Sequence, residues 1–319
     1  MGGLSKPDAS GIIEKVVETS EQQLTIMRAI AEDTFAHAKP IIIGVNGRVA
    51  RRECTSGSDV DLFFLGLEES TEHLIELQRT YRTRLTKQGI KMPALGGVFE
   101  KPLLATKLLD TIGGNNDTNI YITRRMLFLL EGEWIYNASG FGNLRERLIS
   151  KYIAENLEKK KIALFLLNDI IRYWRTICVD FEHKMLDEKK PRAIRIIKLR
   201  FSRMLLYFAG VAAVSKTGHR DSDAKRKLLN DLFALPAIER VQKVFGNRSD
   251  KLIQLYAEFL SDIDDVEIRS ALERPGDTGI DTIEYERLAD KAREFKDELL
   301  SLLLDDLGAD HEIVRALLL

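Results

Sequence analysis

Cysteine is almost missing: Cys54 and Cys178 are the only two in 319 residues. They form no C-x-x-C pair, which excludes a disulfide framework and a thiolate zinc site. Two isolated thiols predict a reducing, cytoplasmic location. Histidine is as thin, with His37, His73, His183, His219 and His311 scattered at spacings that match no metal-ligand motif. Neither sign of charge prevails. Lys and Arg number 48 against 49 Asp and Glu, a formal net charge of −1, so no global basic field points to nucleic acid. Long hydrophobic runs are lacking too. The segment 161–179 comes nearest, but Asn168, Asp169, Arg172 and Arg175 interrupt it, which predicts a buried helix and no membrane span. Residues 1–6 lack the apolar core of a signal peptide. No internal repeat or low-complexity tract is present.

What is there is ordinary globular material. Hydrophobic residues make up 45 % and charged residues 30 %, enough apolar surface for a sizeable core. The length suits two domains. Apolar spacing predicts a helix over 10–38, with Ser10 as N-cap and Pro40 as the stop. Ile41-Ile42-Ile43-Gly44-Val45 and the run 60–65 predict two short buried strands. A polar loop, Asn46 to Ser58, joins them. Residues 68–87 predict an amphipathic helix, and a third strand is expected near Gly97–Glu100. Beyond Leu103 almost no strand signal remains. Helical patterns follow at 104–112, 118–131, 142–159, 160–186, 192–215, 222–234, 236–245, 249–272 and 282–306. The expected fold class is therefore α+β: a small α/β domain with a mixed sheet over residues 1–115, including the N-terminal helix, then a larger all-α domain over 116–319 that forms the other wall of a cleft.

The informative stretch is Gly47-Arg48-Val49-Ala50-Arg51-Arg52-Glu53, followed by Ser58-Asp59-Val60-Asp61-Leu62. Asp59 and Asp61 stand two apart at a predicted strand start, so alternation puts both carboxylates on one face. Two like charges there are costly unless a cation joins them. Hard carboxylate oxygens suit Mg²⁺, which takes one or two of them plus phosphate oxygens and water. Gly47 lets the backbone approach a ligand closely, and backbone N–H groups nearby can cradle phosphate.

This pattern resembles the G-S-x-A-R-G-E … S-D-x-D-hydrophobic signature of the DNA polymerase β-like nucleotidyltransferase superfamily. The segments Arg172-Tyr173-Trp174-Arg175 and 198–203 look like a bacterial branch of it with a helical C-terminal domain. The resemblance implies that the glycine segment binds a triphosphate, that Asp59 and Asp61 hold two Mg²⁺ ions (Mn²⁺ being an alternative), and that a third carboxylate lies on a later strand. Gly47 takes the loop glycine position, Arg48 stands where serine is usual, and Arg52 where a second glycine is usual. Ala50, Arg51, Glu53, Ser58, Asp59 and Asp61 match the rest. Asn46 could replace the missing serine as a hydrogen-bonding group, and Arg48 could reach a phosphate through its guanidinium. Glu100 is the expected third acid, with Asp110 and Asp117 as rivals.

In the helical half, Ile194, Ile197, Phe201, Met204, Leu205 and Phe208 form one stripe. Lys198 lies at its edge, with Ser202 just beyond. Both are candidates for the triphosphate, against simple snorkelling of Lys198 to water. Arg172 and Arg175 are expected mostly in structural ion pairs, and Tyr173 and Trp174 in the core. The implied activity moves a nucleoside monophosphate from an NTP, with ATP a candidate, to a hydroxyl of an unidentified acceptor (protein, small molecule or RNA). The alternative is a non-catalytic nucleotide-binding or interaction module, sensor or antitoxin-like. A nucleic-acid partner is disfavoured by the charge balance, and no membrane partner is expected.

Overall fold

A computed structural model of the chain describes residues 9–36, 41–55, 58–68, 71–93, 97–110, 112–186 and 190–318. Helix α1 (Ala9–Phe35) buries Val16, Ser20, Leu24, Met27, Ala31 and Phe35 at steps of three and four, the period of one helix face. Ser10 lies inside it, and Pro40 falls outside the described residues. Strand β1 (Ile41–Asn46) is buried throughout. A single helical turn, α2 (Gly47–Ala50), leads toward β2 (Asp61–Gly66). Helix α3 (Thr71–Lys87) packs behind β2.

Two expectations about strands need correction. Residues 98–100 form a turn, and the third strand, β3, is only Leu103–Leu104. After α4 (Thr106–Leu109) and α5 (Asn119–Leu130), a fourth strand, β4 (Glu133–Tyr136), returns to the sheet. The sheet order is β3-β2-β1-β4, with β1 antiparallel to both β2 and β4, and β2 parallel to β3. The mixed sheet therefore borrows a strand from beyond residue 115. Gly132 marks the break between α5 and β4. A Cβ there would lie 2.5 Å from the Phe128 carbonyl oxygen, so only glycine permits this tight exit.

Both sheet faces are covered, which explains the near-continuous apolar runs. Ile41, Ile43, Val45, Leu62 and Phe64 point to a smaller core with α1 and α3, while Ile42, Phe63 and Leu65 join the large core of the helical half. Phe63 lies across Gly44, where an added Cβ would meet its ring at 2.1 Å. Burying a side chain such as Phe63 contributes about 1.5–3 kcal/mol.

The remaining chain is helical: α6 (Ala138–Tyr152), α7 (Leu164–Met185), α8 (Arg192–Lys198), a π-helical turn at Leu199–Arg203, α9 (Met204–Ser215), α10 (Ser222–Phe233), α11 (Ala237–Phe245), α12 (Asp250–Asp264), α13 (Val266–Leu272), α14 (Ile283–Leu307) and α15 (Glu312–Leu318). None of the described helices is long and apolar enough to cross a membrane. The expected 192–215 helix is continuous but widened by its π turn. Such turns often mark functional positions. Deep in this half, Arg125 gives Asp117 two hydrogen bonds, at 2.8 and 2.7 Å, and Asp169 one at 3.0 Å. Arg172 also binds Asp117. Both arginine and acid are thus structural, which removes Asp117 from the candidates for a third metal ligand.

Candidate active site

The strand register builds the centre of the site. Asn46 at the end of β1 stands opposite Asp61 at the start of β2. By alternation, Asp61 shares a face with Phe63 and Leu65, the face turned to the helical half. A cavity of about 380 Å³ opens there. Its lining brings together Asn46, Asp61, Glu100, Glu131, Lys198 and Arg203. Asp59 precedes the strand, is exposed and does not line the cavity, but its charge acts on both Asp61 and Lys198.

Gly47 explains why this position is glycine. Its φ is +76°, and a Cβ would sit 2.7 Å from Asp61 Oδ2. The left-handed backbone and the close carboxylate both exclude a larger residue. Its N–H donates to Glu131 Oε1 at 3.2 Å. Glu131 is the hub beneath the motif, for it also accepts from Arg51 Nη1 at 2.6 Å and from Arg203 Nη1 at 3.3 Å. Arg51 Nε in turn donates to Glu53 Oε2 at 2.9 Å. Burial alone would push Glu131 up, but Arg203 and Arg51 outweigh it and hold the carboxyl below its usual range. Burial likewise opposes the charge on Arg51, and Glu53 and Glu131 hold its pKa well above the ordinary value.

These contacts show where the other expected site residues stand. Arg51 is committed to two buried carboxylates and is a structural member of the motif. Ser58 is buried, and its Oγ accepts from Thr55 N at 3.1 Å, so it shapes the loop before Asp59. Arg48 donates to Thr55 Oγ1 at 2.8 Å and remains near the site's charges. Ser202 faces inward from the π turn. Its hydroxyl donates to Tyr256 Oη at 3.1 Å, and Tyr256 gives its own proton to Glu53 Oε1 at 2.6 Å. Lys198 does line the cavity. Glu100 lines it too, from a turn rather than a strand, and no group of three His, Cys, Asp or Glu side chains placed to hold a metal occurs among the described residues. Glu131, which caps α5, and Glu133, which begins β4, were not expected. Glu133 is held by Arg28 and Arg52 at 2.8 Å each. Their arginine partners lie 72 to 105 residues away in sequence, so no local signal could reveal them.

Electrostatics single out two groups. Asp61 reaches the cavity's solvent yet is crowded by protein, and lost hydration followed by the charge of Asp59 raises its carboxyl to about 6. Lys198 is lowered to about 8, first by burial and then by the cations Arg48 and Arg269, with Glu273 and Asp59 opposing. Arg269 enters from α13 and was not anticipated. Asp61 thus meets Lys198 at the cavity, each destabilised first by burial and then by charge of its own sign. Asn46 adds an acceptor, since its Oδ1 is buried and has no hydrogen-bond partner. No family model matches the sequence, and no curated protein matches it significantly, so the chemistry must be read from the residues themselves.

Proposed function

We propose that the chain is an Mg²⁺-dependent nucleotidyltransferase of the polymerase β-like kind, moving a nucleoside monophosphate from an NTP to an acceptor hydroxyl. The observation that carries this is the pairing of Asp61 with an orphaned Asn46 Oδ1 across the strand register, at a cavity that also holds Lys198 and Arg203. A buried acceptor oxygen without a partner is costly. Beside two carboxylates, it suits a hard cation. Asp59, Asp61 and Asn46 are the residues that would hold Mg²⁺, and the ion would supply charge neutralisation at the triphosphate and a lowered pKa for the acceptor hydroxyl.

The protein's own groups do the rest. Gly47 keeps the backbone close to Asp61, and Glu131 fixes Gly47 by accepting its N–H. Lys198, Arg48 and Arg269 supply positive charge for the phosphates, and anion binding relieves their mutual repulsion. The acceptor oxygen bonds to the α-phosphorus, the bond to the β-phosphate bridge breaks, and pyrophosphate leaves with that electron pair. The acceptor's proton passes to solvent. Preorganised charge of this sort is the main catalytic resource in phosphoryl chemistry.

One observation favours a second reading, a nucleotide-binding module without catalysis. The carboxylates that the sheet brings nearest the motif, Glu131 and Glu133, are each engaged by two arginines. Pyrophosphate release separates the readings. With each NTP, Mg²⁺ and a panel of hydroxyl acceptors, release that is lost in Asp61→Ala supports transfer. Tight Mg²⁺-NTP binding with no release under any acceptor supports the module.

A further inference from the structure

Beyond the acidic pair, the cavity has a second unexplained polar group. Tyr173 on α7 is fully buried and lines the cavity, yet its hydroxyl makes no hydrogen bond of ordinary geometry, with the Arg203 guanidinium nearby as a looser donor. Arg203, Glu131 and Arg51 are the charged groups that act on it, which places it toward the motif end. From Tyr173 the same helix face carries Ile177, Phe181 and Lys184 along the cavity, a run of roughly 16 Å at the helical rise. Ile177 and Phe181 line it together with Val98, Phe99 and Leu127. The cavity thus joins a charged end at Asp61, Lys198 and Arg203 to a stretch that mixes these apolar side chains with Arg82, Asp180 and Lys184, and Tyr173 stands between the two.

A nucleotide has the same order: phosphates, sugar, base. With phosphates at the charged end and a flat base among the apolar side chains, the sugar falls beside Tyr173. A hydroxyl both donates and accepts, which matches another hydroxyl better than it matches a phosphate already served by cations. We propose that Tyr173 is the residue that reads the sugar, its Oη bonding a ribose hydroxyl of the bound nucleotide. This rests on the nucleotide reading above and adds to it a preference for ribonucleotides set by one side chain.

The test is equilibrium binding of each Mg²⁺-NTP and of its 2′-deoxy and 3′-deoxy counterparts to wild type and Tyr173→Phe, with thermal midpoints of both free proteins. Wild type binds the ribonucleotide about tenfold more tightly than one deoxy form, the worth of one hydrogen bond. In Tyr173→Phe that gap closes because only the ribonucleotide weakens. The midpoint of the free variant is unchanged or higher, since the lost hydroxyl made no hydrogen bond of ordinary geometry. Equal binding of all three sugars by wild type overturns the assignment while leaving the nucleotide site intact. So does a uniform loss across the three sugars, or a lower midpoint, either of which marks Tyr173 as structural. No binding of any NTP by wild type overturns the nucleotide reading itself, and this inference with it.

Discussion

Replacing Glu131 with alanine tests the foundation of the site. Arg51, Arg203, Glu53 and Glu131 carry two positive and two negative charges that cancel. The Glu131 side chain is 1 % exposed and that of Arg51 6 %, whereas Arg203 is 35 % exposed. Glu131→Ala leaves a buried guanidinium with one carboxylate instead of two and strips Gly47 N–H of its acceptor. Breaking a buried pair costs about 3–5 kcal/mol. Water around Arg203 screens part of this, so the lower end, about 3 kcal/mol, is expected. That is a large share of a total of roughly 5–15 kcal/mol. Urea denaturation at pH 7 measures it. The carboxyl is depressed from 4.5 in the folded protein, so its contribution is fully present above that value and is lost as pH falls through the lowered one. The deficit of the variant therefore shrinks only in acid. A loss below about 1 kcal/mol, the range of a surface ion pair, would refute the buried hub.

Lys198 gives a second prediction. Its folded pKa of about 8 means that the free protein's ammonium is lost as pH rises past that point, so triphosphate affinity declines from pH 7 to 9 in wild type. Lys198→Met binds more weakly at pH 7 and shows little further decline; parallel slopes in titrations of the two proteins would remove Lys198 from the site. Asp61 supplies a third. Its carboxyl titrates near 6 against an ordinary 3.8, so the folded state binds more protons across that window and stability falls as pH rises through it. Asp61→Asn should stabilise the ligand-free protein at pH 7.5 by about 1 kcal/mol after allowing for solvent, with the gain gone by pH 4. A variant less stable than wild type at pH 7.5 counts against the strained pair.

Much of this was legible in local sequence. The short apolar runs at 41–45 and 60–65 became β1 and β2 with both faces buried, and the polar stretch between them contains the single turn α2. Most helix patterns from 118 onward reappear with small shifts at their ends, but the one expected at 142–159 stops at Tyr152 and the one at 249–272 breaks in two at Asp265. Gly47 was legible as a close approach, and the structure supplies its neighbour, Asp61. What escaped was non-local or short. β4 has four residues, and its strand character comes from pairing with β1 rather than from a long alternating run. Glu131 read as the end of a helix, because the arginines that give it meaning lie far away in the chain. Gly97–Glu100 looked like a strand for its Val-Phe pair, but the pairing with β2 falls at Leu103–Leu104 instead. Ser202 sat at the edge of an apolar stripe in projection, and the π turn places it against Tyr256.

The central claim is tested most directly by calorimetric binding of ATP, GTP, CTP and UTP, with and without Mg²⁺, to wild type and Asp61→Ala, with both first shown to be folded. The account predicts that at least one NTP binds in an Mg²⁺-dependent way and that this binding is lost in the variant. Binding of that NTP to Asp61→Ala with unchanged affinity and unchanged Mg²⁺ dependence would contradict it.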